Sequence, residues 1–398
     1  MYRLYVGVLG ICCGWGAAVA TPSKVVTAPT FQGKQLLIFD VGTKTILHAQ
    51  SEEELMHPSS MTKIMTAMVV QDWIEKGRIQ PDQRFIISKN AAAAPGSRMF
   101  LEVGSLVSVK DLLMGLIVCS GNDAAVALAE GIAGTEDEFA RVMTRRAQDL
   151  GAKNTTFMNA SGLTHPQHQS TCKDLALISV HLMETYPHLA KLHSQLSFTH
   201  SKIRQSNRNP LLRISDPSIT YDGLKTGYTD AGGYGLVGTG MENQQRVIFV
   251  ANGWESEQIR QRESPNLITW ALRTFERKEV LDTQTPVVLI PVKGGRSTLV
   301  PLYAQSPVNL ALPWGRQSSI KMRVSCQGYL EAPFSTQTLG GKIEITTPLT
   351  TVTIPLVTHK AQRSAFWLWR PFLYLYQRFF MKKAQLSKST TNMTLNEA

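Results

Sequence analysis

Cysteine is scarce in this sequence of 398 residues, which contains only five. Cys12 and Cys13 lie in the apolar start of the chain, so Cys119, Cys172 and Cys326 remain for its body. An odd and low number argues against a fold that depends on a disulfide framework. A hydrophobic core must therefore stabilise the fold, and a chain of this length, suited to two or three domains, can build one.

Acidic residues are also in deficit, because 41 Lys and Arg against 30 Asp and Glu give a net charge of +11. The excess is concentrated in residues 359–398, where seven basic residues face a single acid, Glu397. No nucleic-acid recognition motif accompanies this charge, so we expect no nucleic-acid partner. An acidic membrane surface is the partner that the basic tail favours.

The first 20 residues have the layout of a secretory signal peptide. Arg3 precedes an apolar run over residues 4–16, and the small residues A-V-A at 18–20 offer a cleavage site. A retained membrane helix is the alternative, and the shortness of the run disfavours it. We therefore expect an exported protein whose mature chain begins after Ala20.

The segment SAFWLWRPFLYLYQRFFMKKA, residues 364–384, is apolar or aromatic at most positions. Arg363, Arg370 and Arg378 recur about a heptad apart, which on a helix gives a broad apolar face and a narrow basic stripe. We expect residues 359–398 to be an amphipathic membrane anchor and a basic tail. A spanning helix is the first alternative, disfavoured by the arginines, and docking onto the preceding domain is the second.

Composition divides the mature chain near Asp282. Residues 21–281 mix strand-like and helical stretches, an α/β (α+β) pattern, and the helical stretch 60–75 is apolar nearly all round, as a buried helix is. Residues 282–358 contain short β-rich runs separated by Pro, Gly and Ser, which predicts a small antiparallel sandwich. A loop over residues 90–104, rich in Ala, Gly and Pro, is long enough to cover a site.

Three S-x-x-K sequences occur, at Ser60–Lys63, Ser170–Lys173 and Ser318–Lys321, so this motif alone is weak. The signal lies in an ordered combination along the chain. Ser60-Met-Thr-Lys63 is followed by Ser120-Gly-Asn122 and then by Lys225-Thr-Gly227.

Ser60 and Lys63 have the character of a nucleophile and its base. At the start of a buried helix, free backbone N–H groups and the helix dipole can stabilise negative charge near Ser60. Lys63 follows one turn later, and an apolar surround with a second cation, such as Lys225, would lower its pKa so that it accepts a proton. Helix capping is the alternative role for Ser60, and it would be favoured if the other motifs were absent.

The remaining two motifs also fit ordinary structural roles. Ser120 and Asn122 fall between two helices, where they can relay a proton and hold a substrate backbone, but Ser, Gly and Asn are common in turns. Lys225 and Thr226 can meet a carboxylate at a strand edge, and Gly227 leaves room for an extended peptide. A solvated lysine in a turn is the alternative there.

With these motifs in place, and with LIVCSGNDAAVALAE and DGLKTGYTDAGGYGL around them, the chain resembles the serine acyltransferases that recognise penicillin. It is most similar to the low-molecular-mass penicillin-binding proteins that are D-alanyl-D-alanine carboxypeptidases. The resemblance covers nearly all of the mature chain. It implies a penicillin-binding/β-lactamase-like catalytic domain, then a small all-β sandwich domain and a C-terminal amphipathic helix.

The resemblance also implies a function. The protein would remove the terminal D-alanine from peptidoglycan stem pentapeptides through an acyl-enzyme, bind β-lactam antibiotics, and need neither a cofactor nor a metal. Its expected location is the periplasmic face of the bacterial inner membrane, attached through the C-terminal helix.

Residue roles follow from the same resemblance. Ser60 is implied as the nucleophile, Lys63 as the base and Ser120 as the proton relay. The residues implied in substrate binding are Asn122, Arg208, Lys225, Thr226, Gly227, Tyr228 and Arg262. Among these, Thr226 and Arg262 would meet the terminal carboxylate. The backbone N–H groups of Ser60 and Tyr228 would form the oxyanion hole, and Tyr228 departs from the histidine that some relatives carry.

Three rival functions stay open at this point. A class A β-lactamase is disfavoured by S-G-N in place of S-D-N, by the absence of an E-x-x-L-N sequence, and by the added β domain and anchor. A DD-endopeptidase would share the motifs. A non-catalytic peptidoglycan-binding scaffold is disfavoured because every implied catalytic residue is present.

Overall fold

A computed structural model describes residues 26–314, 320–364 and 391–394, the last range by its backbone alone. The predicted signal peptide and most of the predicted tail helix lie outside these ranges. Within the ranges, none of the helices combines the length and the apolar character needed to cross a bilayer.

Five antiparallel strands form the central sheet of the first domain: β1 Gln35–Asp40, β2 Thr45–Gln50, β7 Thr220–Thr229, β8 Gly233–Glu242 and β9 Gln245–Trp254. Their order is β2-β1-β9-β8-β7, so β7 is an edge strand. Two small hairpins lie outside this sheet: β3 Arg84–Ile86 with β4 Leu106–Ser108, and β5 Ser197–His200 with β6 Ile203–Ser206. Gly42 lies in the turn between β1 and β2, and the two small hairpins were not predicted.

The helices of this domain are α1 Lys63–Glu75, α2 Lys89–Ala93, α3 Val109–Val118, α4 Asn122–Ala133, α5 Glu136–Asp149, α6 Cys172–Thr185, α7 Pro187–Leu192 and α8 Glu257–Thr274. The expected burial of α1 is confirmed, because every residue from Lys63 to Asp72 is buried. Helix α8 begins at Glu257. The Ser256 side chain caps it by accepting from the Ile259 N–H, and Pro265 is accommodated inside it.

Strand β9 shows how the first domain is layered. Its apolar residues alternate between two cores: Ile248 and Val250 belong to the core shared with α1 and α3 to α6, whereas Phe249 and Ala251 belong to the core under α8. Residues with period two point to opposite faces of a sheet, and both faces are covered here. This burial on both faces accounts for the continuous apolar run in the sequence of β9.

The second domain is the predicted β domain. Its strands are β10 Phe275–Leu281, β11 Pro286–Lys293, β12 Leu299–Ala304, β13 Val308–Pro313, β14 Lys321–Cys326, β15 Leu330–Glu331, β16 Leu339–Thr346 and β17 Thr351–Thr358. A tail strand, β18 Thr391–Thr394, pairs with β14 and completes the order β15-β11-β12-β17-β16-β14-β18. The domain begins at Phe275 rather than at residue 282, because β10 pairs with β13. The pairing of the tail with β14 was not predicted.

A buried polar contact joins the two domains. The Asp40 carboxylate is fully buried and accepts from the Thr43 N–H at 2.7 Å, from Gln245 Nε2 at 3.0 Å and from Arg277 Nη2 at 3.4 Å. The Arg277 side chain passes over Gly42, where a side chain would occupy its place. A buried carboxylate is stable only when it is paired, so Arg277 fixes the start of the second domain against the first.

Replacing Gly42 by alanine should displace the Arg277 guanidinium, because a Cβ at Gly42 would lie 1.4 Å from Arg277 Nη2. We expect the free energy of unfolding to fall by about 1–2 kcal/mol, the value of one charge-assisted hydrogen bond at partial exposure. Urea unfolding would measure this loss. In an Arg277→Ala background the same substitution should cost little, and an undiminished loss there would contradict this role of Arg277.

Candidate active site

Ser60 lies in a 3₁₀ turn, Ser59–Thr62, immediately before α1. No side-chain hydrogen bond caps this turn or α1, so the capping role considered for Ser60 is wrong. Its hydroxyl instead lies 2.9 Å from the Lys63 ammonium. The serine hydroxyl is thus in contact with a side chain that could take its proton.

Lys63 is fully buried, and its Nζ has three neighbours. It donates to Asn122 Oδ1 at 2.7 Å and to the Ser161 carbonyl at 2.6 Å, and its third neighbour is Ser60 Oγ. Amide oxygens can only accept, so two N–H bonds of the lysine have fixed directions. A neutral amine in this place would direct its lone pair at the Ser60 hydroxyl.

The electrostatics favour that neutral form. Burial lowers the pKa of Lys63 well below its usual value, and the nearby charges of Lys225 and Arg208 lower it further. Burial, with Arg208 and Arg260, also lowers the pKa of Lys225, to about 7. The structure therefore places Lys225 near enough to Lys63 for its charge to act on the lysine that the sequence predicts as the base.

Ser120 and Asn122 lie where α3 ends and α4 begins. Ser120 is buried and has a φ of 58°, a left-handed conformation that is uncommon for serine and is often found at functional sites. Asn122 bridges the cleft: its Oδ1 accepts from Lys63, and its Nδ2 donates to the Pro95 carbonyl at 2.6 Å.

The competing motif matches serve structural roles away from Lys63. Ser170 Oγ is buried 2.9 Å from Thr155 Oγ1, and Lys173 forms an exposed ion pair with Glu53. Ser318 lies outside the described residues. The S-x-N sequence at Ser264 is inside α8, where the hydroxyl donates to the Arg260 carbonyl.

A cleft of about 360 Å³ connects the motifs. Its lining residues are Ser60, Gly96, Ser97, Ser120, Asn122, Ser161, Gly162, Leu163, Arg208, Thr226, Gly227, Tyr228, Thr229, Tyr234, Glu257 and Arg260. Lys63 and Lys225 are buried next to these residues. Within the described ranges, no group of three or more His, Cys, Asp or Glu side chains is arranged to hold a metal ion.

The stretch predicted as a loop, residues 90–104, begins inside helix α2, which ends at Ala93, and its residues 96–97 border this cleft. The Ser97 carbonyl accepts from the Asn122 N–H at 2.7 Å, which ties the loop to α4. From the opposite side Arg208 donates to Ser97 Oγ, and Gln205 Nε2 donates to the Arg98 carbonyl at 2.9 Å. Arg208 therefore does lie at the cleft, and it contacts the loop that covers one side of it.

Two glycines let β7 and a neighbouring loop approach the turn that carries Ser60. A Cβ at Gly227 would lie 3.1 Å from the Pro58 carbonyl oxygen. A Cβ at Gly162, whose φ is +85°, would lie 1.8 Å from the Ser59 carbonyl oxygen. L-residues rarely adopt that φ, so both the backbone conformation and the lack of space require glycine at position 162. Ser59 Oγ also lies 2.9 Å from Thr229 Oγ1, which fixes the turn to β7.

The prediction for Arg262 is wrong, because its side chain is 61% exposed and contacts Gln32 and Glu263 outside the cleft. Arg260 occupies the cleft instead. Since residues of an α-helix advance about 100° each, two positions carry a side chain to the opposite face. The sequence RQRES contains both Arg260 and Arg262. Choosing Arg260 as the cleft residue requires knowing that α8 already includes it.

Arg260 is buried within reach of the Gly227 and Gly235 carbonyls, both at 3.5 Å. Its Nη2 donates to Glu257 at 2.9 Å, and its guanidinium lies 5.4 Å from the centre of the Tyr234 ring. Tyr228 is half exposed and packs against Tyr234, with ring centres 4.3 Å apart. Sequence analysis missed Arg260, Tyr234, Glu257 and Ser161, because none belongs to a motif.

Known proteins resemble this chain over both domains. The model of the family described as D-alanyl-D-alanine carboxypeptidase matches residues 22–255, and the model of the penicillin-binding protein 5 C-terminal domain matches residues 275–362. The chain belongs to the D-alanyl-D-alanine carboxypeptidase family. The resemblance inferred from the motifs is thereby confirmed.

Individual relatives agree with this assignment. D-alanyl-D-alanine carboxypeptidase DacA of Haemophilus influenzae is 35% identical over 80% of this chain and 82% of its own length. D-alanyl-D-alanine carboxypeptidase DacC of Escherichia coli is 34% identical over 81% of this chain and 82% of its own length. The crystal structure of penicillin-binding protein 5 from Haemophilus influenzae covers 85% of this chain and 100% of its own, with a TM-score of 0.76 and 33% identity. The protein is a serine-type D-Ala-D-Ala carboxypeptidase, and the β-lactamase and scaffold alternatives are set aside.

The basicity of Lys63 should depend on Arg208. Replacing Arg208 by alanine removes a positive charge that lowers the pKa of both Lys63 and Lys225, so both pKa values should rise. At a given pH less of Lys63 would then be neutral, and the acid limb of acylation against pH should move to higher pH. The second-order rate of labelling by a fluorescent penicillin, measured as a function of pH, checks this.

Arg208→Lys is the matched control, because it keeps the charge and should leave the acid limb close to that of the unmodified carboxypeptidase. An acid limb that does not move in Arg208→Ala would contradict the electrostatic role of Arg208.

Proposed function

We propose that Ser60 is the nucleophile of this carboxypeptidase and that Lys63 is its general base. The observation that carries the proposal is the arrangement around Lys63 Nζ, in which two carbonyl oxygens fix two directions and the Ser60 hydroxyl occupies the third. A neutral Lys63 accepts the hydroxyl proton while Ser60 Oγ forms a bond to the carbonyl carbon between two D-alanines.

The acyl-enzyme then forms as the peptide bond breaks. The leaving nitrogen of the last D-alanine needs a proton, and Ser120, which lines the same cleft as Ser60, is suited to relay it. Backbone N–H groups of Ser60 and Tyr228 would stabilise the oxyanion. Water subsequently hydrolyses the ester and returns Ser60 to its free form.

Arg260, together with Thr226, is suited to bind the terminal carboxylate of the substrate. The guanidinium is desolvated, and Glu257 neutralises it only from the solvent side, with 46% of the Glu257 side chain exposed. A desolvated guanidinium binds a carboxylate strongly because little water is left to screen the pair. Lys225 and Asn122 border the same space and are suited to hold the substrate backbone.

Arg260→Ala should lower kcat/KM for a D-Ala-D-Ala peptide by roughly 100-fold, a value typical for loss of one partner of a buried charge pair. Arg262→Ala, two residues away on the exposed face of α8, is the matched control and should change kcat/KM little. Release of D-alanine from a synthetic pentapeptide measures both.

A peptide with an amide in place of the terminal carboxylate makes the test specific. The unmodified enzyme should discriminate strongly against the amide, whereas Arg260→Ala should discriminate little. Equal discrimination by both proteins would show that Arg260 does not bind the carboxylate.

The nucleophile itself can be tested by acylation. Ser60→Ala should abolish labelling by a fluorescent penicillin and leave the circular dichroism spectrum unchanged, while Ser170→Ala and Ser318→Ala should still be labelled. Incubation with a pentapeptide, a cross-linked dimer and penicillin separates the activities. Prompt D-alanine release from the pentapeptide supports the proposal, and labelling that persists in Ser60→Ala would refute it.

The cellular location proposed for this enzyme is the periplasmic face of the inner membrane. The support is the sequence: a leader ending at Ala20, and an aromatic and basic segment over residues 364–384 that suits an anionic interface. Peptidoglycan stem peptides are the substrates that an exported enzyme of this family would meet there.

A further inference from the structure

The outer face of the β domain carries an unexpected apolar strip. Strands β11 and β12 direct Ile290, Val292, Val300 and Leu302 into the core of the domain. The alternate residues point to the other face, where Leu289 pairs with Pro301 and Pro291 pairs with Leu299. Leu289 is 54% exposed and Leu299 is 50% exposed, although the solvent side of such a sheet is normally polar.

The strip continues across two more strands. Tyr303 of β12 pairs with Val357 of β17, which in turn pairs with Leu339 of β16, so all three share this outer face. Leu339 is 53% exposed. Val357 is buried, but it does not belong to the core cluster of the domain.

The same face turns polar farther along β16 and β17. There Thr353 pairs with Glu344, and Lys342 forms an ion pair with Glu344 at 2.9 Å. The apolar character is therefore confined to the half of the face next to the β11–β12 turn. A localised apolar patch with a polar border is typical of an interaction site.

The charges and the chain path at that turn indicate the partner. Gly295 in the turn bridges to Ser364, and Gln362 Nε2 donates to the Ser297 carbonyl at 3.0 Å. The chain thus enters its aromatic and basic segment beside the strip. Exposed Arg296 and Arg363 border the same end, and the nearby acid Glu331 is paired with Lys293 at 3.0 Å.

We infer that the strip formed by Leu289, Pro291, Leu299, Pro301 and Leu339 is a second membrane contact, which seats the β domain on an anionic phospholipid surface. Apolar side chains with a basic border match the acyl boundary and headgroups of such a surface. The inference rests on the proposed membrane attachment and deepens it, because it fixes which side of the β domain faces the lipid.

Fluorophore labelling of the mature chain, residues 21–398, which lacks Cys12 and Cys13, tests this orientation. Cys326→Ser removes the exposed cysteine, and Cys119 and Cys172 are buried. In that background, Leu289→Cys and, as a matched control on the polar half of the same face, Thr353→Cys receive an environment-sensitive fluorophore. Vesicles of phosphatidylcholine and phosphatidylglycerol, with and without a doxyl-lipid quencher, are then added.

We expect vesicles to shift the emission of the fluorophore at position 289 to the blue and the doxyl lipid to quench it. The fluorophore at position 353 should show neither change. If the fluorophore at 289 is already shifted without vesicles and is not quenched, the tail of this chain covers the strip and the inference is overturned. Sedimentation of the protein with vesicles but without quenching at 289 overturns the orientation alone. Failure to sediment overturns the proposed membrane attachment as well.

A second measurement uses affinity. Leu289→Ser combined with Leu299→Ser should weaken vesicle binding at least roughly ten-fold, because both half-exposed leucines lose the apolar surface that the acyl boundary would bury. Thr351→Ser combined with Thr353→Ser should leave vesicle binding unchanged. Neither pair should change the rate of D-alanine release from a soluble peptide, and unchanged vesicle binding in the leucine pair would overturn the inference.

Discussion

The active site depends on one buried amine. Lys63 sits where three chain segments meet: the turn of Ser60, the start of α4 with Asn122, and the loop of Ser161. Burial of an unpaired ammonium is costly, so the surroundings favour loss of its proton. Burying a lysine at the first residue of α1 in an apolar surround lowers the stability of the fold. The same burial lowers the pKa of Lys63, which is the property that the chemistry requires.

Much of this site could be predicted because its parts are local in sequence. Ser60 and Lys63 are one helical turn apart, and the order of the three motifs separated them from the matches at Ser170 and Ser318. Arg260 could not be identified in the same way. Its assignment depends on where α8 begins, and Pro265 obscured that start, since proline usually marks the first turn of a helix rather than its interior.

The fold was predictable to a similar degree and for similar reasons. Long periodic stretches such as α3 could be located from spacing, and the β domain from its short apolar runs. The hairpins β3–β4 and β5–β6 are too short to carry a periodic signal. The pairing of β18 with β14 joins residues far apart in the chain, and no local pattern encodes such a contact.

The two sides of the catalytic cleft are built differently. Near Ser60, glycines at 162 and 227 bring backbone directly against backbone, so this side cannot shift without steric overlap. On the other side, the loop at Ser97 and Arg98 is tied to α4 by the Asn122 N–H, and only its bonds to Arg208 and Gln205 are exposed, so that water can replace those two at little cost. Any widening of the cleft should therefore occur where the loop meets Arg208 and Gln205, while the backbone contacts beside Ser60 keep the reacting groups in place.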